Sequence, residues 1–324
     1  MSTETDNVLE TTGLSKRYGR TWALQDATLS LPAGRVAALV GPNGAGKTTL
    51  LQLCVGWLEP TSGSVQVFGQ SPLKQARQML PRVGFLAQDH PLYHSFTVAD
   101  LLTLGRKLNP RWDDALARTR IQKLGIPLNR PVSKLSGGQQ AQAALVLVLA
   151  KRPDLLLLDE PLASLDPLAR RDFLRVLLDA QVESGLTVLL SSHIIGDLER
   201  VCDYLIILAS SHVQLAGDIQ EIMRTHKRLL GPRQEVDAIA SAHAVIETSH
   251  TARQTTLLVQ TNGPLVAPSW DVQEVSLEDI VLAYLFQGQH AIETVPPPSV
   301  SGHERSERGQ PGEGKPDRGM EVVK

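Results

Sequence analysis

Val36-Ala37-Ala38-Leu39-Val40 runs directly into Gly41-Pro42-Asn43-Gly44-Ala45-Gly46-Lys47-Thr48-Thr49, and Leu50-Leu51-Gln52-Leu53-Cys54 follows. The first five residues are all apolar, the pattern of a parallel strand covered on both faces. The last five read as the opening turns of a packed helix. A G-x-x-x-x-G-K-[ST] run set between strand and helix is a phosphate site, where the bland alternative is a glycine-rich turn with a surface lysine. Gly41, Gly44 and Gly46 let the backbone curl into a concave nest of N–H groups that the helix N-terminus completes. Lys47 supplies a point charge for the outer phosphates, and the Thr48 hydroxyl can ligate magnesium. The stretch predicts a nucleoside triphosphate site.

The 324 residues have room for one large α/β domain and a smaller piece, or for two domains. A formal net charge of −2 excludes a global field for nucleic acid or an acidic membrane surface. Cys54 and Cys202 form no C-x-x-C and sit in apolar settings, as buried thiols of a reducing compartment do. The polar, acidic N-terminus lacks the regions of a signal peptide. Runs such as Ala143–Ala150 fall far short of the roughly 18 apolar residues that a membrane span takes. The chain is therefore expected to be soluble and to work at a membrane only through a partner.

Val8 to Leu31 predicts two strands, with Tyr18 upstream of the phosphate loop. Its ring could stack on a nucleobase, and a half-buried hairpin tyrosine fits equally well. Strands are expected at Ser64–Phe68 and at Arg82–Ala87, the latter ending at Gln88. Residues 89–151 change character: a capping Thr97 opens a helix, Asp113–Leu124 is a second, and Gly125-Ile126-Pro127 breaks the pattern again. This helical insertion closes at Leu135-Ser136-Gly137-Gly138-Gln139, and the helix from Gln140 to Ala150 is apolar on nearly all sides. Leu155–Leu158 is a second buried strand, ending in Asp159-Glu160, and Thr187–Leu190 a third, ending in Ser191-Ser192-His193. Carboxylates at the C-terminal edge of a buried parallel strand lie where open α/β sheets bind ligands; one can hold a metal shell and the next can deprotonate a water. Glu221–Leu230 reads as an exposed amphipathic helix carrying Arg224, His226, Lys227 and Arg228. The expected division is residues 1–218 for the domain that carries the phosphate loop, 219–289 for a small appendage and 290–324 for a disordered tail rich in Pro, Gly, Ser and charge.

Together these features resemble the ATP-binding subunits of ABC transporters, over about Val8 to Asp218. The resemblance rests on Gly41–Thr48, Gln88, Leu135–Gln139, Leu155–Glu160, Ser164-Leu165-Asp166 and His193, in the family's order. Leu-Ser-Gly-Gly-Gln is the most diagnostic, since other phosphate-loop ATPases lack it. The resemblance implies an α/β phosphate-loop ATPase core with an N-terminal antiparallel β-subdomain, a helical insertion and a C-terminal appendage. It implies ATP and Mg2+ as cofactors. Tyr18 would stack on adenine, the loop Gly41-Pro42-Asn43-Gly44-Ala45-Gly46-Lys47-Thr48-Thr49 would hold the phosphates, and Thr48, Gln88 and Asp159 would serve the metal. Glu160 would be the general base, with His193 and Gln88 beside it. Ser136, Gly137 and Gly138 would close over ATP held by a second ATPase subunit, and Asp166 would join the two half-sites. One departure is plain: many members carry arginine shortly after the signature run, where this chain reads Gln140-Ala141-Gln142.

A motor subunit driving a separate polytopic permease from the cytoplasmic face is the expected role. The competing class, a soluble ABC-type ATPase on nucleic acid or ribosomes, usually has two linked cores or a long coiled coil, and neither is present in this sequence; no nucleic acid is expected as a partner. A kinase or GTPase would lack the signature run. Val275–Tyr284 resembles the C-terminal segment of exporters with separately encoded permeases, so export is expected. The permease should dock just after Gln88, at Leu92-Tyr93-His94-Ser95-Phe96.

Overall fold

A strand with no polar face needs cover on both sides, and the three apolar runs of this chain lie side by side at the centre of one sheet. The computed structural model describes residues 7–251, 254–261, 263 and 269–293. The chain opens with β1 (Asn7–Tyr18) and β2 (Thr21–Pro32), then β3 (Val36–Val40), α1 (Lys47–Cys54), β4 (Ser62–Val67), the short α2 (Ala76–Met79) and β5 (Val83–Leu86). Three helices follow: α3 (Val98–Leu108), α4 (Asp114–Lys123) and α5 (Gly137–Ala150). Next come β6 (Leu155–Leu158), α6 (Pro167–Ser184), β7 (Thr187–Ser192), α7 (Ile195–Leu198), β8 (Tyr204–Ala209) and β9 (His212–Asp218). The remainder is α8 (Ile219–Thr225), β10 (His226–Gly231), α9 (Val236–Ala242), β11 (Ala244–His250), β12 (Thr255–Gln260), β13 (Asp271–Gln273) and α10 (Leu277–Glu293).

The central sheet has the order β5-β6-β7-β3-β8-β9, parallel except for the β9 edge. β1, β2 and β4 form a separate antiparallel sheet. Alternation along the buried strands divides the core into two layers. Ala37 and Leu39 of β3 join Leu155 and Leu157 of β6 on the face covered by α1 and the antiparallel sheet. Val36, Ala38 and Val40 join Leu156 and Leu158 on the face covered by α5 and α6. Period-2 side-chain direction thus gives each apolar run two neighbours to satisfy.

The helical stretch behaves as its caps dictate. Thr97 and Asp100 form a reciprocal capping box at α3, and Asp113 caps α4 through the Leu116 N–H. Arg111–Asp154 and Arg152–Asp113 ion pairs tie these helices to the entrance of β6.

The C-terminal part departs from the sequence expectation. Glu221–Leu230 is not one exposed helix: α8 ends at Thr225 and β10 begins at His226, which is fully buried. Lys227 and Arg228 are consequently strand residues, paired with Glu274 and Asp279. Charges at Glu221, Arg224, Lys227 and Arg228 recur at the three- to four-residue spacing of a helical polar face, and the partner strands β12 and β13 decide for sheet. The sheet order is β11-β12-β10-β13. α10 does not stand apart from the core, since Leu277, Ile280, Val281 and Tyr284 share one apolar cluster with Leu205 and Ile207 of β8. It runs to Glu293, beyond the periodic segment ending at Phe286 and into the first residues assigned to the tail. From residue 294 on, the expected disordered tail lies outside the described residues.

Candidate functional site

The strands β6, β7 and β3 are neighbours and all end at one edge, so Asp159-Glu160, Ser192-His193 and the 41–46 loop emerge together. Two glycines fix the loop. A Cβ on Gly41 would lie 2.2 Å from the Leu208 carbonyl oxygen, and one on Gly46 2.2 Å from that of Ala23; Gly46 also has a φ of 106°. No side chain can stand at either place, and the loop is held between β8 and β2. α1 starts at Lys47 with no side-chain cap, which leaves its first-turn N–H groups for an oxyanion.

Lys47 is only 5% exposed. Its Nζ donates to the carbonyl oxygens of Gly41 (2.8 Å) and Pro42 (3.2 Å) and pairs with Glu160 Oε1 at 3.0 Å. The Glu160 side chain is 10% exposed, and its Oε2 accepts a hydrogen bond from His193 Nδ1 at 3.0 Å. Burial pushes the Glu160 carboxyl up, but the hydrogen bond and charge of Lys47, helped by His193, outweigh it and hold the group below the usual carboxylate range. Glu160 is therefore an ionised acceptor at neutral pH, the state a base requires. Its backbone is left-handed, with a φ of 44°, and its N–H donates to Ser191 Oγ at 2.7 Å. The same Ser191 hydroxyl donates to Asp159 Oδ1 at 2.9 Å, and Asp159 is buried.

Of the residues predicted from sequence, Lys47, Asp159, Glu160 and His193 thus form one network. Asn43, Gly44 and Thr48 are exposed on the loop and the first turn of α1, with Pro42 and Thr49 half-buried and Ala45 buried. Gln88 is exposed just beyond β5, the strand beside β6. Tyr18 is exposed at the end of β1, its ring 5.4 Å from Lys16 Nζ. Ser136 caps α5 and forms a reciprocal box with Gln139, while a Cβ on Gly138 would come within 3.0 Å of Ala169 on α6. Ser136 and Gly137 are exposed, and among the described residues no contact joins 136–138 to Lys47, Glu160 or His193. Where many family members carry arginine, Gln140 Nε2 donates to the Val132 and Leu135 carbonyls and ties down the turn before Ser136. Asp166 caps α6 through the Leu168 and Ala169 N–H groups.

Sequence reasoning passed over Ser191. The available signal was a hydroxyl continuing an apolar strand, where a buried polar group must find a partner. Both cysteines are buried and free, and burial pushes the Cys54 thiol up to about 12 and raises that of Cys202 as well. The donor set Thr48, Gln88 and Asp159 offers hard oxygens suited to Mg2+. Among the described residues no group of three or more His, Cys, Asp and Glu is placed to hold a metal.

Comparison with known proteins agrees. A family model described as ABC transporter matches residues 24–163. The sulfate/thiosulfate import ATP-binding protein CysA of Yersinia pseudotuberculosis is 33% identical over 225 residues, covering 67% of this chain and 62% of that protein. The ABC transporter ATP-binding protein YtrB of Bacillus subtilis is 29% identical over 222 residues, 68% of this chain and 76% of that one. Among solved structures, cbiO1 from Clostridium perfringens, part of the ABC transporter complex cbiONQ, superposes with a TM-score of 0.60 at 26% identity, covering 73% of this chain and 95% of that chain. The match spans less than two thirds of the length of the CysA protein. By its fold, its motifs and these matches, the chain contains an ABC transporter ATP-binding domain.

Proposed function

We propose that this chain is the ATP-hydrolysing motor subunit of an ABC transporter, pairing head-to-tail with a second ATPase subunit and driving a separate membrane permease. The observation that carries the reading is the Lys47–Glu160–His193 network at the mouth of the phosphate loop, with the signature turn displayed elsewhere on an exposed helix N-terminus. ATP phosphates would take the loop N–H groups and compete with Glu160 for the Lys47 ammonium. Mg2+ held through Thr48, Gln88 and Asp159 would offset phosphate charge. Glu160 would accept the proton of the attacking water, His193 would orient it and contact the γ-phosphate, and Tyr18 would stack on adenine. Ser136, Gly137 and Gly138 would meet the ATP of the opposite subunit, with Asp166 at the join between half-sites.

The permease site is read from the surface around Gln88. Tyr93 and Phe96 stack with centroids 5.0 Å apart, and Tyr93 is 62% exposed. Beside them lies a groove of about 300 Å³ lined by Val55, Trp57, Phe85, Leu92, Leu147 and Val148. His90 also lines it, and its buried Nε2 has no hydrogen-bond partner among the described residues. An apolar groove with one unsatisfied polar atom suits a helix from a membrane subunit. No helix of the described residues is long and apolar enough to cross a membrane. The export expected from Val275–Tyr284 finds no support: CysA relatives are named as importers, and the segment's apolar residues are used to pack α10 onto the core.

Glu160→Gln tests the proposal. The variant should bind ATP, accumulate as an ATP-bound dimer and lose on the order of 100-fold or more in turnover. Turnover like that of the parent would sink the assignment of the base.

A further inference from the structure

We propose that Ser191 is a positioning residue for hydrolysis: a single hydroxyl that sets the geometry of both acids at the end of β6. The inference rests on the ATPase reading above. β6 and β7 run parallel with Leu158 opposite Leu190, so Asp159 and Ser191 occupy the next rung. Ser191 is 0% exposed, and the four strand residues before it, Thr187 to Leu190, are buried too. An apolar side chain would satisfy packing there; a serine is a poor choice unless its hydroxyl is used. It is used twice. The oxygen accepts the Glu160 N–H at 2.7 Å, and the proton goes to Asp159 Oδ1 at 2.9 Å.

Each bond constrains a different thing. Glu160 carries a left-handed backbone that a non-glycine residue adopts only when its surroundings enforce it. That bend accompanies the contacts of its carboxylate with Lys47 and His193. The bond to Ser191 holds the bend at the N–H. For Asp159, Ser191 is the one side-chain partner among the described residues, so it fixes the carboxylate rotamer that would face the metal shell. Removing the hydroxyl would leave a buried N–H and a buried carboxylate oxygen without partners at once. The neighbouring Ser192 makes a contrast: among the described residues its hydroxyl bonds only the N–H and carbonyl of Ile194, within its own turn.

The test uses the full chain with Ser191→Ala, the volume-matched pair Ser191→Thr and Ser191→Val, and Ser192→Ala. Turnover, binding of a fluorescent ATP in EDTA, and the Mg2+ concentration for half-maximal binding are measured for each. Metal-free binding by Ser191→Ala should stay within about twofold, since the loop is untouched, while turnover falls by about 10- to 100-fold, the scale of a small misplacement of reacting groups. The Mg2+ requirement should rise several-fold, Thr should retain far more turnover than Val, and Ser192→Ala should stay near the parent. Equal turnover of the Thr and Val variants, an equal loss in Ser192→Ala, or an unchanged Mg2+ requirement in Ser191→Ala would overturn the role. A parent protein without ATP turnover would instead sink the ATPase reading. The clamp itself is then read from thermal unfolding of Ser191→Ala, Asp159→Asn and the double variant. Shifts smaller in combination than their sum are expected, and additive shifts would show that no clamp exists.

Discussion

The ATP-site edge and the C-terminal sheet both bury polar groups, but in different protonation chemistry. At the site, Lys47 and Glu160 are charged, nearly inaccessible and paired with each other. In the C-terminal part, His226 Nε2 accepts from the Tyr284 hydroxyl at 3.0 Å while Nδ1 donates to the Ile222 carbonyl at 2.8 Å. Burial lowers the His226 pKa, and burial raises the Tyr284 hydroxyl to about 12, so both are neutral. A neutral hydrogen-bonded pair costs little to bury and specifies how α8, β10 and α10 fit together. A buried ion pair contributes little net stability, because desolvation offsets the attraction. Its retention points to chemistry rather than to holding the fold. The buried charges should therefore matter for activity and the buried neutral pair for stability.

Lys47→Ala gives the largest expected effect. Losing charge-assisted bonds of about 1.5–3 kcal/mol each should weaken ATP binding by about 10- to 100-fold or more. Because Glu160 then keeps only His193 as a side-chain partner among the described residues, the melting temperature should fall as well, without loss of the fold. Titration with labelled ATP beside a melting curve checks both halves, and a collapse of the fold would break the contrast.

His226→Leu should do the reverse. It strands the Tyr284 hydroxyl in an apolar cluster, so stability should fall by about 1–3 kcal/mol while ATP affinity holds. Acid should act on the same group. Its folded pKa lies below the ordinary 6.5, so below that pH the unfolded chain binds more protons and stability declines until the folded pKa is passed. The slope from this residue is at most about 1.4 kcal/mol per pH unit and should vanish in the leucine variant, as denaturant melts between pH 7 and 5 would record.

Tyr93→Ala with Phe96→Ala should have the smallest effect on the isolated chain, about 1 kcal/mol or less, since both rings are exposed. Co-purification with the proposed permease should nonetheless be lost. Normal permease binding by the variant would sharpen the contrast by showing that these rings serve only the insertion's own packing.

Local pattern made much of this legible. The buried strands, the phosphate loop and the capped helix at Thr97 follow from periodicity and from residues with few conformational uses, whereas the helix expected from Gln140 starts at Gly137, capped by Ser136. Reading failed where an element's identity depends on distant strands. Residues 226–231 carry a charge pattern equally at home on a helix, and β12 and β13 settle it.

By itself the sequence determined which residues stand at the strand ends, Asp159, Glu160 and His193, because an apolar run ending in polar residues marks the sheet edge wherever the strand lies. It also placed Lys47 at the helix start through the phosphate-loop motif. Only the tertiary structure decided that β6, β7 and β3 lie side by side, so that Glu160 meets Lys47 and His193 and a serine from β7 clamps both acids. Strand order is set by packing across many residues of sequence separation, and no local propensity encodes it.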